Sequence, residues 1–232
     1  MKRKTIGILG GMGPAATADL FRKITSVTKA SCDQEHIHII IDSNTAIPDR
    51  TAALIRGGES PVPQLQRSAR TLEAAGAGLI IMPCNTAHGF YDEVCAAVSV
   101  PVLHMIRITA QALTQAGIKR AGLLATDGTV QTGIYDRCLS GSGIELITPT
   151  AEGQAAVMDI LYNGVKAGDA GHDTAAFERT CAGLLAEGAQ TLILGCTELP
   201  CAFEMYSLSF PHIDPTLELA RAAVLAAGGE LR

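Results

Sequence analysis

The sequence contains no tryptophan, and aromatic side chains make up only 4% of its 232 residues. With so few rings, small aliphatic side chains must fill the core, and the Ala- and Gly-rich composition, 47% hydrophobic, suits small-residue helices packed on a sheet. Positive charge is not in excess. The 18 Lys and Arg are outnumbered by 23 Asp and Glu, a formal net charge of −5. That balance lacks the electrostatic footprint of a nucleic-acid or anionic-membrane binder. Long apolar runs are missing too. The basic start, Met1-Lys2-Arg3-Lys4, is followed by only a short apolar stretch, Ile6 to Leu9, before the glycines of the next turn. This is too short for a signal-peptide core, and no stretch reaches membrane-spanning length. The expected location is cytoplasmic.

No Cys-x-x-Cys pair occurs among the seven cysteines. An odd cysteine count in a chain this long argues against a disulfide framework. The nearest pair, Cys196 and Cys201, lacks a second His/Cys pair at ligand spacing, which argues against structural zinc, so no metal is expected. Cys95, Cys138 and Cys181 fall in helix-like stretches and read as small buried hydrophobes.

Two cysteines stand apart. Pro83-Cys84-Asn85-Thr86-Ala87-His88 follows the apolar run Leu79-Ile80-Ile81-Met82, and Gly195-Cys196-Thr197-Glu198-Leu199-Pro200 follows Leu192-Ile193-Leu194. Each cysteine therefore sits where a buried strand should end, one in each half of the chain. A thiol is a usable proton carrier near neutral pH, and helix N-termini make its thiolate more accessible. Two thiols facing one pocket would form the pair of acid/base groups that inversion of a carbon centre needs.

The pattern around them predicts βαβ units. Strands are expected at residues 5–9, 36–41, 79–82, 100–103, 120–124, 145–147 and 191–194. Helices are expected at 15–29, 64–75, 93–98, 109–116, 130–139, 151–164, 173–186 and 216–227. Alternation of this kind means a parallel sheet in each half. The resulting division is 1–103 plus 212–232 for one α/β domain, with the last helix packing back, and 104–211 for the second. Ligands of open α/β sheets bind beyond the carboxyl ends of strands. The functional candidates fall there: the turn Gly10-Gly11-Met12-Gly13-Pro14, Ser43/Asn44, residues 84–86, 126–129 and 196–198.

Gly11-x-Gly13-x-x-Ala16 between strand and helix fits a dinucleotide fingerprint, with Asp42 near the ribose-binding position. Pro14, however, removes a backbone N–H from the helix mouth where a pyrophosphate would need donors. A turn approached by a smaller carboxylate explains the glycines equally well, and Met12 within it is a candidate substrate-binding residue. Asn85, Thr86, Thr126, Thr129 and Thr197 are strand-end donors able to hold an α-carboxylate, or else ordinary helix caps. Arg50 in the Asp49-Arg50-Thr51 loop and Lys166 after a helix are either solvated charges or selectors of a second carboxylate. His88, Glu198 and Asp127 are candidates for polarising or thiol-orienting groups, or for caps; Glu198 also counts as a candidate substrate contact.

These residues resemble those of aspartate racemases in the aspartate/glutamate racemase superfamily. The resemblance spans essentially the whole chain and rests on Ile8-Leu9-Gly10-Gly11-Met12-Gly13-Pro14 and the two cysteine motifs. The Asp-Ser-Gly signature of glutamate racemases is absent. The resemblance implies an α/β fold of two pseudo-symmetric domains, each a parallel sheet flanked by helices, with the active site in the cleft between them. It implies a homodimer that needs no cofactor and takes a small amino-acid substrate. Cys84 and Cys196 would be the two catalytic acid/bases. Asn85, Thr86 and Thr197 would hold the α-carboxylate or amino group, and Arg50 and Lys166 the distal carboxylate. Some relatives lack the arginine and accept a wider range of substrates; others carry threonine for the first cysteine. This chain departs in neither place. The expectation is cofactor-independent aspartate racemisation. Alternatives are a broad-specificity or glutamate-accepting racemase, a hydantoin racemase or maleate isomerase, and, from other classes, a nucleotide-dependent oxidoreductase or a non-catalytic ligand-binding protein.

Overall fold

The computed structural model describes residues 3–232. The first half contains strands β1 (Ile6–Gly10), β2 (Ile39–Ser43), β3 (Leu79–Ile81) and β4 (Val102–Leu103), with helices α1 (Pro14–Val27), α2 (Arg50–Ile55), α3 (Val62–Ala74) and α4 (Tyr91–Cys95). Helix α5 (Met105–Gln115) follows β4. The second half contains β5 (Arg120–Leu124), β6 (Glu145–Ile147), β7 (Thr191–Leu194) and β8 (His212–Ile213). Its helices are α6 (Asp127–Gln131), α7 (Ile134–Leu139), α8 (Ala151–Asp159), α9 (Ala175–Ala186), α10 (Leu199–Met205) and α11 (Pro215–Ala226).

Both sheets are four-stranded and parallel with the same order, β2-β1-β3-β4 and β6-β5-β7-β8. The inner strands β1, β3 and β7 are buried along their whole length, as parallel strands covered on both faces must be, which is why they read as unbroken apolar runs. Burying each such Leu or Ile contributes about 1.5–3 kcal/mol.

The halves exchange helices. Helix α5 leaves the first sheet, yet its Ile106, Ala110 and Leu113 pack with Ala121, Leu123 and Ile193 of the second. Helix α11 leaves the second sheet, yet its Leu219, Ala220, Ala223 and Val224 pack with Ile6, Ile8, Leu20 and Ile24 of the first. Helices α5 and α11 also pack on each other, so this exchange binds the two sheets side by side. Strand β8 belongs to the second sheet, carrying that sheet to Ile213, just past the boundary drawn at residue 211.

Other sequence-based boundaries shift as well, among them β2, α4 and α5 by a few residues, and three differences change the kind of element. Residues 50–55, read as loop, form α2, whose start is capped by the Asp49 carboxylate accepting from Ala52 N at 2.6 Å. The single helix expected at 130–139 is two, broken at Gly133 with φ of 59°. The helix expected at 151–164 passes at Ile160 into a π-helical segment, Ile160–Val165. Among the described residues, no helix is long and apolar enough to cross a membrane.

Candidate active site

The two sheets point the carboxyl ends of their inner strands at one cleft. The turn after β1 brings Met12, the segment after β3 brings Cys84, Asn85 and Thr86, the end of β5 brings Thr126, and the segment after β7 brings Cys196, Thr197 and Glu198. Arg50 enters from the start of α2 and Lys166 from the end of the π-helical segment. Ten of the candidate residues named from the sequence thus line one cavity. Asp49, Thr51 and Tyr162 line it as well. The cavity measures about 20 Å³, space for a single water molecule. Asp49, Thr51 and Tyr162 also face an outer groove of about 820 Å³ between α2 and α8.

Gly11 makes the turn after β1 possible. Its φ is +91°, and a Cβ there would lie 2.4 Å from the Asn44 backbone, so only glycine fits. Asn44 itself is structural: its side chain donates to Gln64 and Ser68 and accepts from Ala46 N. Ser43 and Asn44 therefore stand outside the cavity, as do Asp127, bound to Gln154 at 2.9 Å, and Thr129. His88 is buried behind the Cys84 loop and does not line the cavity either.

The threonines are not spent on capping. Thr126 precedes α6 without a side-chain cap bond, and its hydroxyl pairs instead with Thr86 at 3.0 Å and Thr129 at 3.2 Å. The Thr86 and Thr129 hydroxyls lie 2.9 Å apart, closing a buried hydroxyl triangle across the two halves. Asn85 accepts from the Tyr135 hydroxyl through Oδ1, leaving its buried Nδ2 donors without a partner among the described residues. Nδ2 is thereby free to donate to a ligand oxygen.

Charges divide unevenly between the two thiols. The Cys196 thiol donates to Glu198 Oε2 at 3.0 Å, and the Thr197 hydroxyl donates to the same oxygen at 3.3 Å. Burial pushes the Cys196 thiol well above its usual range, the Glu198 carboxylate adds to that, and Lys166 opposes it. Cys196 therefore rests protonated. On the other side stands Arg50, held by the carbonyls of Ile47 and Pro48 at 3.2 and 3.0 Å, with its buried Nε unpartnered. Burial works against the Arg50 charge, but the Cys84 sulfur, Asp49 and Glu198 outweigh it and hold its pKa up. Lys166 is also raised, with burial opposing and Glu198, Cys196, Tyr162 and Cys84 favouring the charge. Its ammonium lies 3.9 Å from the centroid of the Tyr162 ring. Among the described residues, no group of three or more His, Cys, Asp or Glu is arranged to hold a metal ion.

Two like parallel sheets therefore face one cleft, and each half brings one thiol to it. The chain belongs to the Asp/Glu/Hydantoin racemase family, whose model matches residues 9–223. It is 31% identical over 223 residues to a broad-specificity amino-acid racemase of Bacillus subtilis, covering 94% of this chain and 96% of that one. Its fold is similar to that of the aspartate racemase of Picrophilus torridus, with a TM-score of 0.84 and 35% identity over 99% of this chain and 96% of that one. A glutamate racemase of Francisella tularensis shares the fold, with a TM-score of 0.68 at 21% identity over 97% of this chain and 81% of that one.

Tyr162 and Tyr135 were not legible as site residues. Tyr162 precedes Lys166 by four positions, a spacing that puts two side chains on one helical face. That was the available signal for Tyr162, and for Tyr135 there was none.

Proposed function

We propose that this chain racemises aspartate without a cofactor, using Cys84 and Cys196 as the two proton-transfer groups. The observation that carries this reading is the single cavity lined by both thiols together with Arg50 and Lys166. One cysteine, as thiolate, takes the α-proton; the other, as thiol, gives a proton to the opposite face of the planar carbanion. The roles exchange with the other enantiomer. Cys196, protonated beside Glu198, is set to serve as the acid in one direction.

The α-proton is far less acidic than a thiol, so the pocket must stabilise the carbanion. Fixed donors in a water-poor cavity do this best. The free Nδ2 of Asn85 and the hydroxyls of Thr86 and Thr197 are suited to the α-carboxylate. Arg50 and Lys166 bring two cations to a cavity that the carboxylates of Asp49 and Glu198 also line, and the planar Arg50 guanidinium is suited to pair bidentately with a substrate's second carboxylate. The chain's similarity to the aspartate racemase of Picrophilus torridus points the same way. Asp49, Thr51 and Tyr162 line both this cavity and the outer groove, so this shared wall is the path by which substrate reaches the two thiols.

A substrate panel tests this. Purified protein treated with chelator and carbonyl reagent is incubated with single enantiomers of aspartate, glutamate and alanine, and optical activity is followed. The account expects aspartate to racemise fastest. Equal rates on alanine would replace it with the broad-specificity reading, which the Bacillus subtilis relative keeps open.

A further inference from the structure

His88 lies four residues after Cys84, in the middle of the short 3-10 turn Thr86–Phe90, and is 3% exposed. Its two ring nitrogens face groups of fixed character. Nδ1 is 2.8 Å from the carbonyl oxygen of Cys84, which can only accept. Nε2 is 3.1 Å from the backbone N–H of Met105, which can only donate. The proton must therefore sit on Nδ1, with Nε2 bare. The environment keeps the ring neutral: burial, then His104, lowers its pKa to about 3, despite the carbonyls of Cys84 and Leu103. Tyr91 and His104 pack around the ring, His104 with its centroid 4.8 Å away.

Met105 is the first residue of α5, the helix that leaves the first sheet to pack on the second. His88 thus ties the backbone of Cys84 to the point where the chain crosses between halves. We propose that His88 is a positioning residue that holds the Cys84 loop, and so the thiol, at a fixed depth in the cleft through the Nδ1–H bond to the Cys84 carbonyl, the Met105 N–H serving to fix the tautomer that makes this bond. This rests on the reading of Cys84 as an acid/base group.

Two substitutions separate the halves of the tether. In His88→Asn the amide N–H falls near the place of Nδ1 and keeps the bond to Cys84 O. In His88→Gln the amide oxygen falls near the place of Nε2 and keeps only the bond from Met105. Each loses one buried hydrogen bond, so a merely structural role predicts similar losses of Tm and of activity in both. The positioning role expects His88→Asn to keep kcat on aspartate within about threefold of native. His88→Gln should lose on the order of 100-fold in kcat with KM little changed, because misplacement of a reacting group by about 1 Å costs that much. The alkylation rate of Cys84, read by mass spectrometry of its peptide, should follow the same order. Equal kcat and equal alkylation in the two variants would overturn the proposal.

If neither variant folds, nitrogen NMR of the native protein decides. The account expects His88 to carry its proton on Nδ1 and to stay neutral from about pH 8 to about pH 5, unlike a free imidazole. A proton on Nε2 would overturn it. Should the native chain racemise no amino acid, the functional reading fails alone, while the alkylation order still tests the tether.

Discussion

The hydroxyl of Tyr135, on α7 in the second half, donates to Asn85 Oδ1 in the first half at 2.7 Å. Both residues are buried, and this bond fixes which end of the Asn85 amide is free for a ligand. Tyr135→Phe should leave Oδ1 unsatisfied, at about 1–3 kcal/mol of stability, and release the amide to rotate. The expected kinetic result is a raised KM for every amino acid tested, because the α-carboxylate is common to all. Denaturant unfolding and a substrate panel check the two parts.

Glu198→Gln should let the Cys196 thiol ionise at lower pH. The carboxylate raises the thiol's pKa in addition to burial, whereas Lys166 lowers it and remains. The alkylation rate of Cys196 against pH should therefore rise at lower pH in the variant than in the native chain. Racemisation should slow in the direction in which Cys196 must begin protonated. An unmoved alkylation profile would show that burial alone sets this thiol.

Arg50→Ala and Lys166→Ala should weaken aspartate more than alanine. Each removes a cation whose pKa is held up by the anionic groups in the cavity. A charge-assisted bond contributes about 1.5–3 kcal/mol, so KM for aspartate should rise on the order of tenfold or more, while the value for any neutral substrate stays near native. Parallel loss on both substrates would remove these residues from distal recognition.

Gly128 touches α2 across the cleft: a Cβ there would lie 2.8 Å from Thr51 Oγ1 and 3.0 Å from Thr51 Cα. Since a backbone atom is in the way, Gly128→Ala must push α2, and Arg50 with it, out of the cavity. Alanine is the better helix former by about 1 kcal/mol, so fold stability should hold. Turnover of aspartate should fall even so. A variant that is both stable and fully active would show that the closed contact between α2 and α6 is dispensable.

Acid should unfold the native chain more steeply than its His88 variants. His88 has a folded pKa of about 3 against 6.5 for a free histidine. Between those values the unfolded chain binds a proton that the folded chain refuses, so this contribution is full above 6.5 and is lost as pH falls toward 3. One such proton corresponds to about 1.4 kcal/mol per pH unit. His104, lowered to about 4, acts in the same direction. Urea unfolding between neutral pH and about pH 4.5 should therefore show a shallower slope in His88→Asn.

Much of this site could be read before any coordinates, for identifiable reasons. The inner strands are mainly apolar runs, so residues 120–124 and 191–194 match the observed strands residue for residue, as does the edge strand 145–147. Strand ends then located Cys84, Thr126 and Cys196. Helix α2 was not legible because six residues give too little period, and its one signal is the Asp49 cap. The break at Gly133 uses that glycine's left-handed backbone, and the widening at Ile160 leaves no mark in the hydrophobic spacing. Tyr135 was invisible because its partner lies fifty residues away in the other half. Ser43 and Asn44 illustrate the converse: a strand-end position is common to many residues, and here Asn44 supports the Gly11 turn rather than the ligand.

The central claim is that Cys84 and Cys196 act from opposite faces, and hydrogen isotope tracing tests it most directly. One enantiomer of aspartate is incubated in deuterated water with the native chain and with Cys84→Ala and Cys196→Ala, and the α-position of product and recovered substrate is analysed early in the reaction. The account predicts deuterium in the product with hydrogen kept in the unreacted substrate, and loss of racemisation in either variant by a factor of at least about 100 to 10,000, the usual contribution of a general acid or base. Product carrying the substrate's own hydrogen, or substantial racemisation surviving in either cysteine variant, would contradict it.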